Sequence, residues 1–280
     1  MNVLVCLKHA VDPLTAEYDV RNEQLCEPDH ILAPVDSVAL EQALALADAH
    51  GATVTAATVG PPRADAVLRH ALTYGATAAL RAWGESVEAA DSFVVARVLA
   101  AVAKRIRADL VLLGTRSLDG ASGCVGPVLA EQLELAYVSN VVSLALDAGS
   151  LTAVRAGDGG RRDEFVATLP AVLGVDVGLN TPRYVGVLSR TYRRGLAAAV
   201  ELVSPADLGI PDGELEPALE TVAVGAPRPR TKTGVKVSGM SMRDKLALMR
   251  GQSGKKSAEL FSGPPADAAQ IVLEKLSEWL

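Results

Sequence analysis

Four short apolar runs constrain this chain more than any other feature. "NVLVCLK" (2–8), "ATVTAATVG" (52–60), "ATAALRAW" (76–83) and "ADLVLLG" (108–114) are near-continuous rather than alternating. A strand without a polar face is covered on both sides, as strands inside a parallel sheet are. The intervening segments have helical spacing. In "PVDSVALEQALALADAHG" (34–51) apolar residues fall at 38, 39, 43, 44, 46 and 47, with Pro34 near the first turn and Gly51 as the stop. "PPRADAVLRHALTYG" (61–75) and "ADSFVVARVLAAVAKRIR" (90–107) repeat that spacing. Strand and helix alternate through short links as far as residue 133, which predicts an α/β fold with a doubly wound, mostly parallel sheet. Residues 9–33, broken by Pro13 and Pro28, read as a loop or a hairpin.

Beyond residue 137 the pattern becomes β-rich. Residues 137–178 read as strands joined by tight turns, and the glycines of "AGDGGRR" (156–162) supply the positive φ of a hairpin link. From Thr181 to Ala226 both signals fade, and Pro182, Pro205, Pro211 and Pro217 imply an extended, wrapping segment. Such a segment covers either a partner or its own core. "SMRDKLALMRG" (241–251) and "GPPADAAQIVLEKLSEWL" (263–280) read as helices. The expected organisation is a nucleotide-binding core over 1–180, followed by a docking loop, arm and C-terminal helix over 181–280.

A net charge of −6 and an aromatic content of 4% disfavour a nucleic-acid surface. Cys6, Cys26 and Cys124 form no CxxC pair, so neither a zinc site nor a disulfide framework is expected, and a reducing cytoplasm fits best. The N-terminus lacks the form of a secretion signal, and no run reaches the length of a membrane span.

Open parallel sheets bind ligands beyond the carboxyl ends of their strands, here Leu7–Lys8, Val59–Gly60 and Gly114–Thr115. The last end continues as "GTRSLDGASGCVGPVLAE" (114–131), a glycine-bearing turn that opens a helix. Free N–H groups and the helix dipole make such a turn a phosphate cradle. Thr115, Ser117 and Ser122 can donate further hydrogen bonds, and Arg116 can neutralise a phosphate. Pro127 places the cap near Ser122 or Gly123. A turn in which glycines only ease the bend is the alternative. The stretch is neither a Walker A loop nor GxGxxG. Asp119 reads as a turn former, and Cys124 as a small buried residue. His9 lies beside the first strand end but stands alone, so no catalytic residue and no metal site are expected.

Several stretches, taken in order, resemble the electron transfer flavoprotein β subunit (FixA) family. They are "VLVCLKHAVDP", "ILAPVDSVALEQALAL", "TVGPPRADAVLRHALTYGA", "ADLVLLGTRSLDGASGCVGPVLAEQL" and "VRAGDGGRRDEFVATLPAVLGVD". The resemblance covers nearly the whole chain. It implies an adenine nucleotide α-hydrolase-like fold and an electron carrier that pairs with an α subunit. FAD would sit mostly on the α side, and this chain would hold AMP or, in bifurcating relatives, a second FAD. Electrons would arrive from dehydrogenases and leave to a quinone reductase or another acceptor. By position, the nucleotide contacts would be Cys6, Ala33, Pro34, Val35, Asp36 and Val59. The loop Gly114, Thr115, Arg116, Ser117, Leu118, Asp119, Gly120, Ala121, Ser122, Gly123, Cys124 and Val125 would complete them. Leu7, Val59 and Gly60 would shape the adenine slot. In "VGVLSRTYRR" (185–194), Val187 or Leu188 would anchor partner dehydrogenases.

The chain departs from the family pattern at Ala33, Arg116, Ala121, Cys124 and Ala156, and "GLAAAVEL" (195–202) replaces a lysine-rich run. Lost side-chain hydrogen bonds, each worth about 1 kcal/mol, would weaken or change the nucleotide. A stand-alone ATP-binding module like the universal stress proteins is a rival reading. A nucleotide-dependent ligase or hydrolase is another.

Overall fold

The computed structural model describes residues 1–220 apart from Glu23, Glu27 and Ala148, together with Val222, Met242 and residues 263–277. The chain divides into two units, Met1–Ala226 and Pro227–Leu280.

The four apolar runs become β1 (Asn2–Cys6), β6 (Thr53–Val59), β7 (Ala78–Ala82) and β8 (Leu110–Gly114). The loop before the first helix folds into two small antiparallel pairs. These are β2 (His9–Val11) with β5 (His30–Leu32), and β3 (Tyr18–Asp19) with β4 (Gln24–Leu25). The β-rich half supplies β9 (Ala136–Asp147), β10 (Ser150–Ala156), β11 (Arg162–Thr168) and β12 (Ala171–Val175), and β13 (Glu201–Val203) follows. Together they form a nine-stranded sheet in the order β11-β10-β9-β12-β8-β1-β6-β7-β13. Only β10 runs antiparallel to its neighbours β9 and β11; the other pairings are parallel.

Helices cover both faces. Val3 and Val5 cluster with Val38, Ala43 and Leu44 of α1 (Pro34–His50) and with Leu68 of α2 (Asp65–Tyr74). Leu4 and Cys6 cluster with Val94, Val98 and Leu99 of α3 (Ser92–Ile106) and with Leu129 of α4 (Val125–Leu133). Alternate residues of one strand thus serve two cores, which explains the absence of a polar face. From β1 the chain builds outward through β6 and β7, then returns to place β8 on the other side of β1. The strand order reverses there, so a crevice opens between the β1 and β8 ends.

The arm covers its own core as far as it is described continuously. Asn180 donates Nδ2–H to the Val38 carbonyl at 3.1 Å. Arg183 forks onto Glu41, with Nε–Oε2 at 2.8 Å and Nη2–Oε1 at 2.9 Å, and its Nη1 lies 2.9 Å from Asp48. Next comes α5 (Arg190–Ala197), started by the Ser189 hydroxyl, which accepts the Tyr192 N–H at 3.0 Å. Gly195 lies so close to the Leu72 carbonyl of α2 that a Cβ there would collide with backbone. Strand β13 then adds to β7, and Ile210 and Leu215 are buried in the core on the α3 face. Both α5 and β13 fall where the sequence pattern suggests only an extended segment. Tertiary docking makes them: α5 is an arginine-rich octapeptide with no core stripe of its own, and β13 has three residues.

Removing the Arg183 fork leaves the Glu41 carboxylate without its main partner. Arg183→Ala is expected to cost about 2 kcal/mol, the usual worth of hydrogen bonds to charged groups. It should also speed amide exchange over 180–189, while β1 and β8 stay protected. Urea unfolding and hydrogen exchange check both outcomes.

The second unit is described over α6 (Pro265–Ser277). The expected helix over 241–251 lies outside the described residues except for Met242. Among the described residues, no helix is long and apolar enough to cross a membrane. Nor, among them, do three or more His, Cys, Asp or Glu gather as a metal site.

Candidate functional site

A cavity of about 600 Å³ occupies the crevice at the β1, β6 and β8 ends, roofed by the starts of α3 and α4. Leu7, Val59, Leu113, Val95 and Leu99 give it an apolar wall, and the loop after Gly114 gives it a polar one.

That loop orders itself with short bonds. Thr115 N–H donates to the Val175 carbonyl at 3.0 Å, tying the loop to β12. Ala121 N–H donates to Ser117 Oγ at 3.2 Å, and Ser122 Oγ lies 3.1 Å from Ser92 Oγ at the start of α3. Gly123 takes φ 66° and Ala121 φ 47°. The second value is costly for a residue with a Cβ. Helix α4 starts at Val125 with Cys124 as its cap residue, one position past Gly123 and two past Ser122, the expected caps, and no side chain caps it. Its first N–H groups therefore remain for a ligand acceptor. The cap position also lifts Cys124 to the surface, which corrects its reading as a buried residue.

Asp36, in the first turn of α1, is buried at 6% exposure. It accepts the Lys8 N–H at 2.9 Å and the Gly114 N–H, clamping the ends of β1 and β8 together. Burial raises its carboxyl to about 6, and the two N–H bonds and the Lys8 charge hold it from rising further. Burial, followed by the Asp36 charge, pushes the neighbouring Cys6 thiol far above its usual range. Asp119 has the opposite balance. Partial burial raises it, but hydrogen bonds from Lys8, Ser117 and the Gly120 N–H outweigh that and hold it at about 2. Its Oδ1 lies 2.6 Å from Lys8 Nζ, so it anchors the loop to β1 and makes no base. Asp91 caps α3 by accepting the Phe93 and Val94 N–H groups through Oδ1, both at 2.9 Å. Its Oδ2 accepts the N–H groups of Ala218 and Leu219 of the arm at 2.8 and 3.0 Å.

Of the residues read from sequence, Cys6, Leu7, Asp36, Val59, Gly60, Gly114, Thr115, Ser117, Gly120, Ser122, Gly123 and Val125 line the cavity. Ala33, Pro34, Val35, Arg116, Leu118, Asp119, Ala121 and Cys124 stand behind or outside that lining. Arg116 is exposed, and the cations that line the cavity are Lys8, just past β1, and Arg63, on the turn after β6. Sequence reasoning also missed Trp83, Val87, Glu88, Asp91 and Ser92. Extending the strand-end rule to β7 and to the start of α3 would have found them. Val187 and Leu188, at 61% and 82% exposure, stand free just before α5, beside Tyr184 at 90%.

The electron transfer flavoprotein domain model matches residues 26–208. The electron transfer flavoprotein subunit beta of Clostridium acetobutylicum is 34% identical over 189 residues, covering 67% of this chain and 73% of that protein. That of Methylophilus methylotrophus is 31% identical over 218 residues, covering 75% and 81%. FixA of Sinorhizobium fredii is 33% identical over 253 residues, covering 85% and 87%. With the glycine loop and the uncapped start of α4 inside the matched residues, the chain belongs to the electron transfer flavoprotein β subunit (FixA) family.

Proposed function

We propose that this chain is the β subunit of a cytoplasmic, heterodimeric electron transfer flavoprotein and that its cavity holds AMP as a structural nucleotide. The observation that carries the nucleotide assignment is the uncapped start of α4, opening on a cavity whose other wall is apolar. A phosphate takes N–H donors there, and an adenine takes the dry wall by Leu7 and Val59. Ala33, Arg116, Ala121 and Cys124, the departures from the family pattern around the site, all lie outside the lining, so those backbone donors are kept.

FAD, held mostly by an α partner, supplies the one- and two-electron chemistry when bound. This chain's residues scaffold and dock. Donor dehydrogenases would meet the exposed Val187–Leu188 pair, and a quinone reductase or similar acceptor would take the electrons on. Arg183 holds the segment that carries this anchor against α1.

Native mass spectrometry and flavin quantitation of the co-purified α/β complex test the reading. One flavin and one AMP per heterodimer are expected. Two flavins with no AMP overturn the AMP assignment in favour of a bifurcating form. A chain that forms no complex and binds ATP alone overturns the β-subunit assignment.

A further inference from the structure

Trp83 is one of two tryptophans in the chain, the other being Trp279, in a sequence with few aromatics. It follows the last residue of β7 and contributes to the cavity wall. Its place is well fixed. Its backbone N–H donates to the Val203 carbonyl at 3.0 Å, so β13 holds it from one side. On the other side, the Ala82 carbonyl accepts the Gly60 N–H at 3.2 Å, which sets Trp83 beside the Val59–Gly60 strand end. Among the described residues it is the one aromatic side chain on a wall otherwise made of aliphatic, glycine and polar groups. The residue is partly buried against the core on the α3 face and lines the cavity, so what remains accessible of its indole is an apolar surface that a planar ring can cover.

We infer that Trp83 is the outer wall of the base slot and sets the preference of the cavity for a ligand with a heteroaromatic ring. The inference rests on the nucleotide reading above and adds the residue that tells a nucleotide from a sugar phosphate. The two ends of the cavity divide the work. The start of α4 takes the phosphate whatever it is attached to. Trp83, across the β1 and β6 ends from that loop, touches only the ring. Strand ends lie about 4.8 Å apart, so β8 and β7 are separated by roughly three such steps, enough for a phosphate at one end and a base at the other.

Calorimetric titration of the nucleotide-free α/β complex with AMP and with ribose 5-phosphate tests this, using the parent protein, Trp83→Leu and Trp83→Phe. Stacking of a base on an aromatic side chain accounts for about a tenfold or larger change in affinity. Trp83→Leu is therefore expected to weaken AMP by at least that factor and leave ribose 5-phosphate unchanged. Trp83→Phe, which keeps a ring, should recover most of the AMP affinity. Equal weakening of both ligands would mean that Trp83 only supports the fold and would overturn the assignment. So would AMP binding that Trp83→Leu leaves intact, with the nucleotide reading still standing. If the parent complex takes up neither ligand, both readings fall.

Discussion

Gly114→Ala is expected to unfold this protein more readily and to distort its cavity. The added Cβ would overlap Asp36 Oδ1 and a Val35 methyl, both in the first turn of α1. Neither neighbour has room to yield. Val35 is buried, and Asp36 is held by the N–H groups of Lys8 and of Gly114 itself. Either α1 moves off the sheet or the carboxylate rotates away and leaves two buried donors unpaired. Overpacking of this kind costs about 3 kcal/mol. For a unit of this size that lowers the melting temperature by roughly 6–12 °C. The same displacement parts the β1 and β8 ends, so nucleotide should be lost from the purified complex. Thermal melting and nucleotide content read the two effects separately. A variant with parental melting temperature and full nucleotide would refute the strand-end clamp.

Asp36 should also leave a signature in the pH dependence of stability. Its carboxyl ionises near 3.9 in an unfolded chain and at about 6 in the folded one. The folded state therefore holds this proton more tightly. The contribution of Asp36 is most favourable below pH ~4, declines as the pH rises to about 6, and is constant above that. The full decline, from acid to neutral pH, amounts to about 3 kcal/mol. Asp119, held at about 2, acts in the opposite direction but over lower pH, where its loss of charge removes the Lys8 bond. In urea unfolding between pH 4 and 7, Asp36→Asn should remove the declining contribution that Asp36 makes in the parent protein, even though the variant is weakened at every pH by its poorer acceptor. Parallel profiles for parent and variant would place the titrating group elsewhere.

The two faces of the sheet were legible because β1, β6 and β8 carry apolar residues at consecutive positions, a pattern that a single-faced strand cannot use. The ligand loop was legible because Gly114, Gly123 and Pro127 mark a turn into a helix. What stayed hidden depends on distance in the sequence. Nothing in the local sequence marks Arg63 or Trp83 as cavity residues; they reach it because β6 ends beside β1 and β7 ends beside β6. Arg116 carries the right charge in the right loop but faces solvent, since the loop bonds itself through Ser117 and Ser122. Asp36 was expected to touch the ligand. It lines the cavity, but its oxygens are engaged by backbone N–H groups, so it shapes the wall more than it contacts what lies inside. Helix α5 has almost no local signal, because Gly195 and the surface of α2 define it.

Strand β11 ends the sheet with one side bonded to β10 and no strand on the other among the described residues. An open strand side is a template on which a second chain can add. Its first half is guarded. Arg162 and Glu164 stand there, and Asp163 is engaged by Arg155 and Arg161 at 2.8 and 2.7 Å, so an incoming strand would have to desolvate charge. Its second half is not, since Val166 is 70% exposed beside Ala167 and Thr168. A strand added to this edge would therefore meet the least resistance at those last three residues, on a backbone that already has the shape of a sheet.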